Sequence, residues 1–92
     1  MSIEITHVRL QGTRDRLEAI TRYRWRGLQS GLVGTDTMAE LVTWMRQGLQ
    51  VFIGRGVQQV PVVVAERLGA EPYLWTYANG ARNNDLLALP RF

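Results

Sequence analysis

Residues 37–50 read TMAELVTWMRQGLQ, and they carry the one complete helical pattern in the chain. Thr37 followed three residues later by Glu40 is a capping box, in which the two side chains satisfy the orphan amides of a helix start. Met38, Leu41, Val42, Met45 and Leu49 recur at the three-four spacing of one helical face, and Glu40, Thr43, Arg46, Gln47 and Gln50 fall on the other. Gly48 is placed to end the helix, with Leu49 folding back towards Trp44. One short helix cannot bury its own apolar stripe, so the remainder of the chain must supply a sheet.

Outward from the helix, strand patterns lie on both sides. Residues 3–10 and 18–26 read as two strands, and Ile5-Thr6-His7-Val8-Arg9-Leu10 is echoed by Ile20-Thr21-Arg22-Tyr23-Arg24-Trp25. Alternation puts Thr6, Val8, Leu10, Thr21, Tyr23 and Trp25 on a core face. The opposite face carries Ile5, His7, Arg9, Ile20, Arg22, Arg24 and Arg26, a basic stripe if the two strands form a hairpin. Ile3 is in phase with the basic set, which calls for a bulge or a partly covered outer face. Residues 27–36, GLQSGLVGTD, read as a glycine-rich connector. As a phosphate loop the segment is poor, because it lacks a lysine and Asp36 would repel an anion.

Beyond the helix, residues 49–53 and 57–65 read as strands joined by a tight turn at Gly54-Arg55-Gly56. Pro61 cannot donate to a ladder, which predicts an edge or a bulge there. Residues 73–78 form a further strand with Tyr73, Trp75 and Tyr77 on one face and Leu74, Thr76 and Ala78 on the other. Asn79-Gly80 predicts a type I′ turn. The apolar tail, with Leu86, Leu87, Leu89 and Phe92, is expected to dock. The resulting expectation is a single α+β domain spanning residues 1–92: one helix packed on a small antiparallel sheet of about five strands, in the order β-β-α-β-β-β.

Composition narrows the function classes. The chain has 92 residues, 46% of them hydrophobic and 21% charged, with no cysteine, so it has no disulfide framework and no thiolate metal site. No apolar run approaches the ~20 residues of a membrane span. The start of the chain lacks the pattern of a signal peptide, so the expected location is cytoplasmic. The net charge is +3, all of it from residues 1–26, where six arginines face three acids; residues 27–92 hold five of each. Every basic residue of that count is arginine, whose planar fork suits phosphate and carboxylate.

Together, Ile5-Thr6-x-Val8-Arg9-Leu10, a Thr-x-x-Glu helix containing a tryptophan, Tyr73-Leu74-Trp75-Thr76 and the terminal Asp85-Leu86-Leu87-Ala88-Leu89-Pro90-Arg91-Phe92 resemble a family of small bacterial and phage domains of unknown function. The resemblance covers nearly the whole chain. It implies the same element order and a prokaryotic or phage origin, and it brings no activity.

Catalytic and metal chemistry are poorly supplied. His7 is the one histidine, Ser2 and Ser30 have no nucleophile setting, and the carboxylates show no ligand spacing. Glu4 and Glu18 could face each other as an acid/base pair, or serve as partners for neighbouring arginines. No catalytic residue, metal or cofactor is expected. Two binding features stand out. His7, Arg9, Arg22, Arg24 and Arg26 form either an anion site or a solvated face neutralised by Glu4 and Glu18. Tyr73, Trp75 and Tyr77, with Trp44 on the helix rim, form a stacking surface, part of the core or an oligomer contact. The expectation is a non-enzymatic, homo-oligomeric binding module for an anionic nucleotide-like small molecule, in a phage context a host signalling nucleotide. The alternatives are nucleic-acid binding by the same face, or inhibition or scaffolding of a host protein through the aromatics.

Overall fold

The computed structural model describes residues 2–12, 16–54, 56, 59–78, 81–83 and 85–92, the last strand turn (77, 78, 81–83 and 85) through its backbone alone. The helix, α1 (Met38–Arg46), begins as its sequence requires. Thr37 Oγ1 accepts from the Glu40 amide at 3.3 Å, and Glu40 Oε1 accepts from the Thr37 amide at 3.1 Å. It ends in a Schellman arrangement: Leu49 N–H reaches the Trp44 carbonyl, Gly48 N–H reaches that of Met45, and Gly48 takes φ 107°.

Among the described residues, the helix packs on one face of a seven-stranded sheet. In chain order the strands are β1 (Ser2–Leu10), β2 (Ile20–Gly27), β3 (Val33–Thr37), β4 (Gln50–Ile53), β5 (Val60–Ala65), β6 (Tyr73–Ala78) and β7 (Ala81–Asn83). Their spatial order is β3-β2-β1-β4-β5-β6-β7. The α+β class and the single helix on a sheet are as expected; the strand count and direction are not. β3 occupies what read as a glycine-rich connector, and β7 precedes the tail. The sheet is mixed, because β4 lies parallel to β1 with Ile3 opposite Val51. A parallel pair needs a long crossover, which β2, β3 and α1 provide here.

Two bulges set the faces of the first hairpin. Pairing runs Ile3↔Gly27, Glu4↔Arg26 and Ile5↔Trp25, then skips Thr6 to His7↔Arg24, Val8↔Tyr23 and Arg9↔Arg22. It then skips Thr21 to reach Leu10↔Ile20. Each skipped residue reverses the alternation. Ile3, Ile5 and Ile20, which simple alternation assigned to the basic face, are therefore buried in the core with Val8, Tyr23, Leu41, Val51 and Leu74. Thr6 and Thr21 leave the core face.

Pro61 sits in an interior strand, where it faces Phe52 of β4. Pairing of β5 with β6 begins one residue later, at Val62↔Thr76, so no ladder partner waits for the missing amide. Leu74 and Thr76, on one face of β6, are fully buried. The tail docks as expected. Leu86 is buried, Val8 N–H donates to the Pro90 carbonyl and Phe92 N–H to that of Val8. The expected turns at Arg55 and at Asn79-Gly80, and the start of the fourth strand at Val57, lie outside the described residues.

Candidate functional site: a basic outer face across three strands

The bulge at Thr6 brings Glu4, His7 and Arg9 of β1 into rows with Arg26, Arg24 and Arg22 of β2, and β3 extends the rows with Val33, Thr35 and Thr37. All five basic residues singled out in the sequence therefore share the sheet face opposite α1. They are not equivalent. Arg26 pairs with Glu4 at 3.2 Å, and Glu4 is only 8% exposed. Glu40 reaches Arg22 electrostatically. Its carboxyl is held below the usual carboxylate value by hydrogen bonds from the Thr37 amide and hydroxyl, with Arg22 a smaller contribution. Among the described residues, Arg9, Arg22 and Arg24 form no salt bridge with an Asp or Glu side chain.

Phe92 lies in the middle of this cluster. The guanidinium carbons of Arg9 and Arg24 stand 4.5 and 4.8 Å from its ring centroid, and His7 meets the ring edge-on at 6.4 Å. Arg9 Nε also donates to the Phe92 carbonyl at 2.9 Å. A guanidinium lying over an aromatic ring is attracted by the negative π-face and keeps most of its in-plane N–H donors for an oxyanion. The Thr6 hydroxyl donates to the Arg24 carbonyl, so His7 Nδ1 must donate to Thr6 Oγ1. Phe92 was expected only to dock; no local pattern links it to strands 70 residues earlier.

The aromatic ladder is divided. Tyr73 is buried, with Arg67 5.0 Å above its ring, so it offers no open stacking face. Trp75 is half-buried against the core, and the Tyr77 side chain lies outside the described residues. Trp44 is 40% exposed. Glu4 and Glu18 do not form an acid/base pair. Glu4 is bound at the Arg26 end of the hairpin, and Glu18 lies in the 3-10 turn Leu17–Ala19 at the other end, roughly 20 Å along β1 at about 3.3 Å per residue.

A second arrangement went unread in the sequence. Trp25 Nε1 donates to Asp36 Oδ2 at 2.6 Å, and the indole rests on Gly34, where an added Cβ would fall 2.5 Å from Cζ2. The available signal was Val33, Thr35 and Thr37, β-branched residues at every second position.

Among the described residues no group of three or more histidines and carboxylates could hold a metal, and no helix is long and apolar enough to cross a membrane. Comparison of the chain with family models, with curated proteins and with solved structures gives no match in any of the three.

Proposed function

We propose that the protein is a non-enzymatic binding module that captures an anionic, nucleotide-like ligand on its basic outer face. The observation that carries this reading is the row-by-row register, in which Arg9 and Arg22 are cross-strand neighbours, Arg24 stands in the next row of the same face opposite His7, and none of these arginines pairs with an Asp or Glu side chain among the described residues. Like charges set directly opposite one another cost stability unless something neutralises them. A phosphate group does so while accepting forked hydrogen bonds. Arg9 and Arg24, held at Phe92, would take the phosphate, with Arg22 beside them. Arg26 is engaged by Glu4 and contributes least.

Calorimetry against a panel of mono-, di- and cyclic nucleotides tests the reading. One member should bind in a way that Arg24→Ala weakens by about tenfold or more, the loss of one charge-assisted contact, while Arg26→Ala has little effect. Absence of binding by every member would overturn it.

The line of Arg22, Arg24 and Arg26 along β2, at steps of about 6.8 Å, favours a second reading, an extended nucleic-acid backbone. Affinity for a single strand would then fall with salt with a slope of about −0.7 per phosphate engaged, whereas a compact ligand gives a shallow slope.

A further inference from the structure

The opposite face of the sheet carries a different site. A cleft of about 400 Å³ opens at the C-terminal end of α1, lined by Ile3, Trp25, Trp44, Gln47, Gly48 and Leu49. That volume lies within the range of small-ligand sites. We propose that this cleft binds an organic cation, an alkylammonium or a methylated ammonium group, by cation–π attraction to its two indoles, independently of the basic outer face.

Three features set the sign of the charge. First, apart from Gln47 the walls are aromatic and aliphatic, and among the described residues no basic side chain lines them. Arg24 and Arg26 flank Trp25 in sequence but point to the other side of the sheet, and Arg46 is turned to Glu66 at 2.6 Å. Second, Trp25 donates its indole proton to the Asp36 carboxylate, and Asp36 is only 8% exposed. A buried carboxylate on the indole N–H pushes electron density into the ring and places negative charge just behind it, which strengthens the attraction of the π-face for a cation. Third, the cleft sits where α1 ends, at Gln47 and Gly48, and the helix dipole presents its negative end there.

The two walls divide the task. Trp25 is locked between Gly34 and Asp36 and provides a prearranged surface. Trp44, on the exposed helix rim, is the wall that a ligand would cover. A methylated ammonium is the best match, because its methyl groups fill an apolar cleft while its charge needs no ion-pair partner there.

Tryptophan fluorescence titration with choline tests the proposal, alongside its uncharged isostere 3,3-dimethylbutanol and indole, all at constant ionic strength. Choline should give a saturable change and bind at least fivefold more tightly than the isostere, the upper end of a cation–π contribution at an exposed site. Trp44→Ala, at an exposed position, should weaken choline binding fivefold to thirtyfold with the circular dichroism spectrum retained. Asp36→Asn, which keeps an acceptor for the indole but removes the charge, should weaken choline and leave the isostere unchanged. Equal or tighter binding of the isostere or of indole would overturn the proposal, as would the absence of any saturable change. Sedimentation showing a dimer that Trp44→Ala dissolves would assign the cleft to a second copy of the chain and equally overturn it.

Discussion

Tyr23 provides the sharpest test of the core. Its side chain is fully buried on the hairpin face against α1, and its hydroxyl has no hydrogen-bond partner among the described residues. Leaving a buried hydroxyl unpaired costs about 1–3 kcal/mol relative to solvating it. Tyr23→Phe removes that penalty and keeps the ring. The atom-sized gap left behind forfeits a few dispersion contacts of about 0.1–0.2 kcal/mol each. The net expectation is a gain of about 1–2 kcal/mol, unusual for a core substitution. In a domain of this length each 1 kcal/mol moves Tm by about 4–8 °C. Urea denaturation should show a higher midpoint with an unchanged slope.

Burial also raises the Tyr23 pKa above its ordinary value of 10.0, because the phenolate would be desolvated. The folded state thus prefers the protonated phenol. This contribution to stability is intact below pH 10 and is lost as pH rises, since the unfolded chain then ionises and the folded one does not. The native protein should lose up to about 1.4 kcal/mol per pH unit from this group above pH 10, and Tyr23→Phe should lack that component. A destabilised Tyr23→Phe would refute the reasoning, since it would mean that the hydroxyl holds a buried partner such as water.

Other substitutions address the remaining elements. Gly34→Ala would drive a Cβ into Trp25, so it should cost about 1–3 kcal/mol, with a shift in tryptophan emission as the indole leaves Asp36. Thr37→Ala should cost about 1 kcal/mol by removing the helix cap. In the same variant the Glu40 carboxyl, followed by NMR, should titrate closer to its ordinary value. Its lowered pKa contributes stability above that value, lost as pH falls through the folded one. Arg26→Ala removes one ion-pair partner of the nearly buried Glu4. It should cost about 1 kcal/mol, modest because the arginine side is 36% exposed, and the loss should shrink in high salt.

The parts of this fold that were legible beforehand are those encoded locally. The helix, its capping box and its glycine stop depend on residues within five positions of each other, and the first hairpin and β6 follow from period-two patterns. What was misread involves counting across a bulge. The inward turn of Ile3, Ile5 and Ile20 depends on Thr6 and Thr21 being skipped, and nothing in either residue announces it. β3 was hidden because glycines around β-branched residues look like a loop until a neighbouring tryptophan covers one of them.

The candidate site divides along the same line. Sequence alone determined that the surplus charge lies in the first 26 residues, that it is all arginine, and that alternation gathers Arg22, Arg24 and Arg26 on one side of a strand. Only the tertiary structure decided which arginines remain without a carboxylate, because ion pairing depends on distances between strands. It alone seated Phe92 between Arg9 and Arg24, and it alone brought Trp25 and Trp44 to one cleft from opposite sides of the helix–sheet interface. Alternation is a property of the backbone that each strand carries by itself. Contacts between residues far apart in the chain arise only when the chain closes on its core.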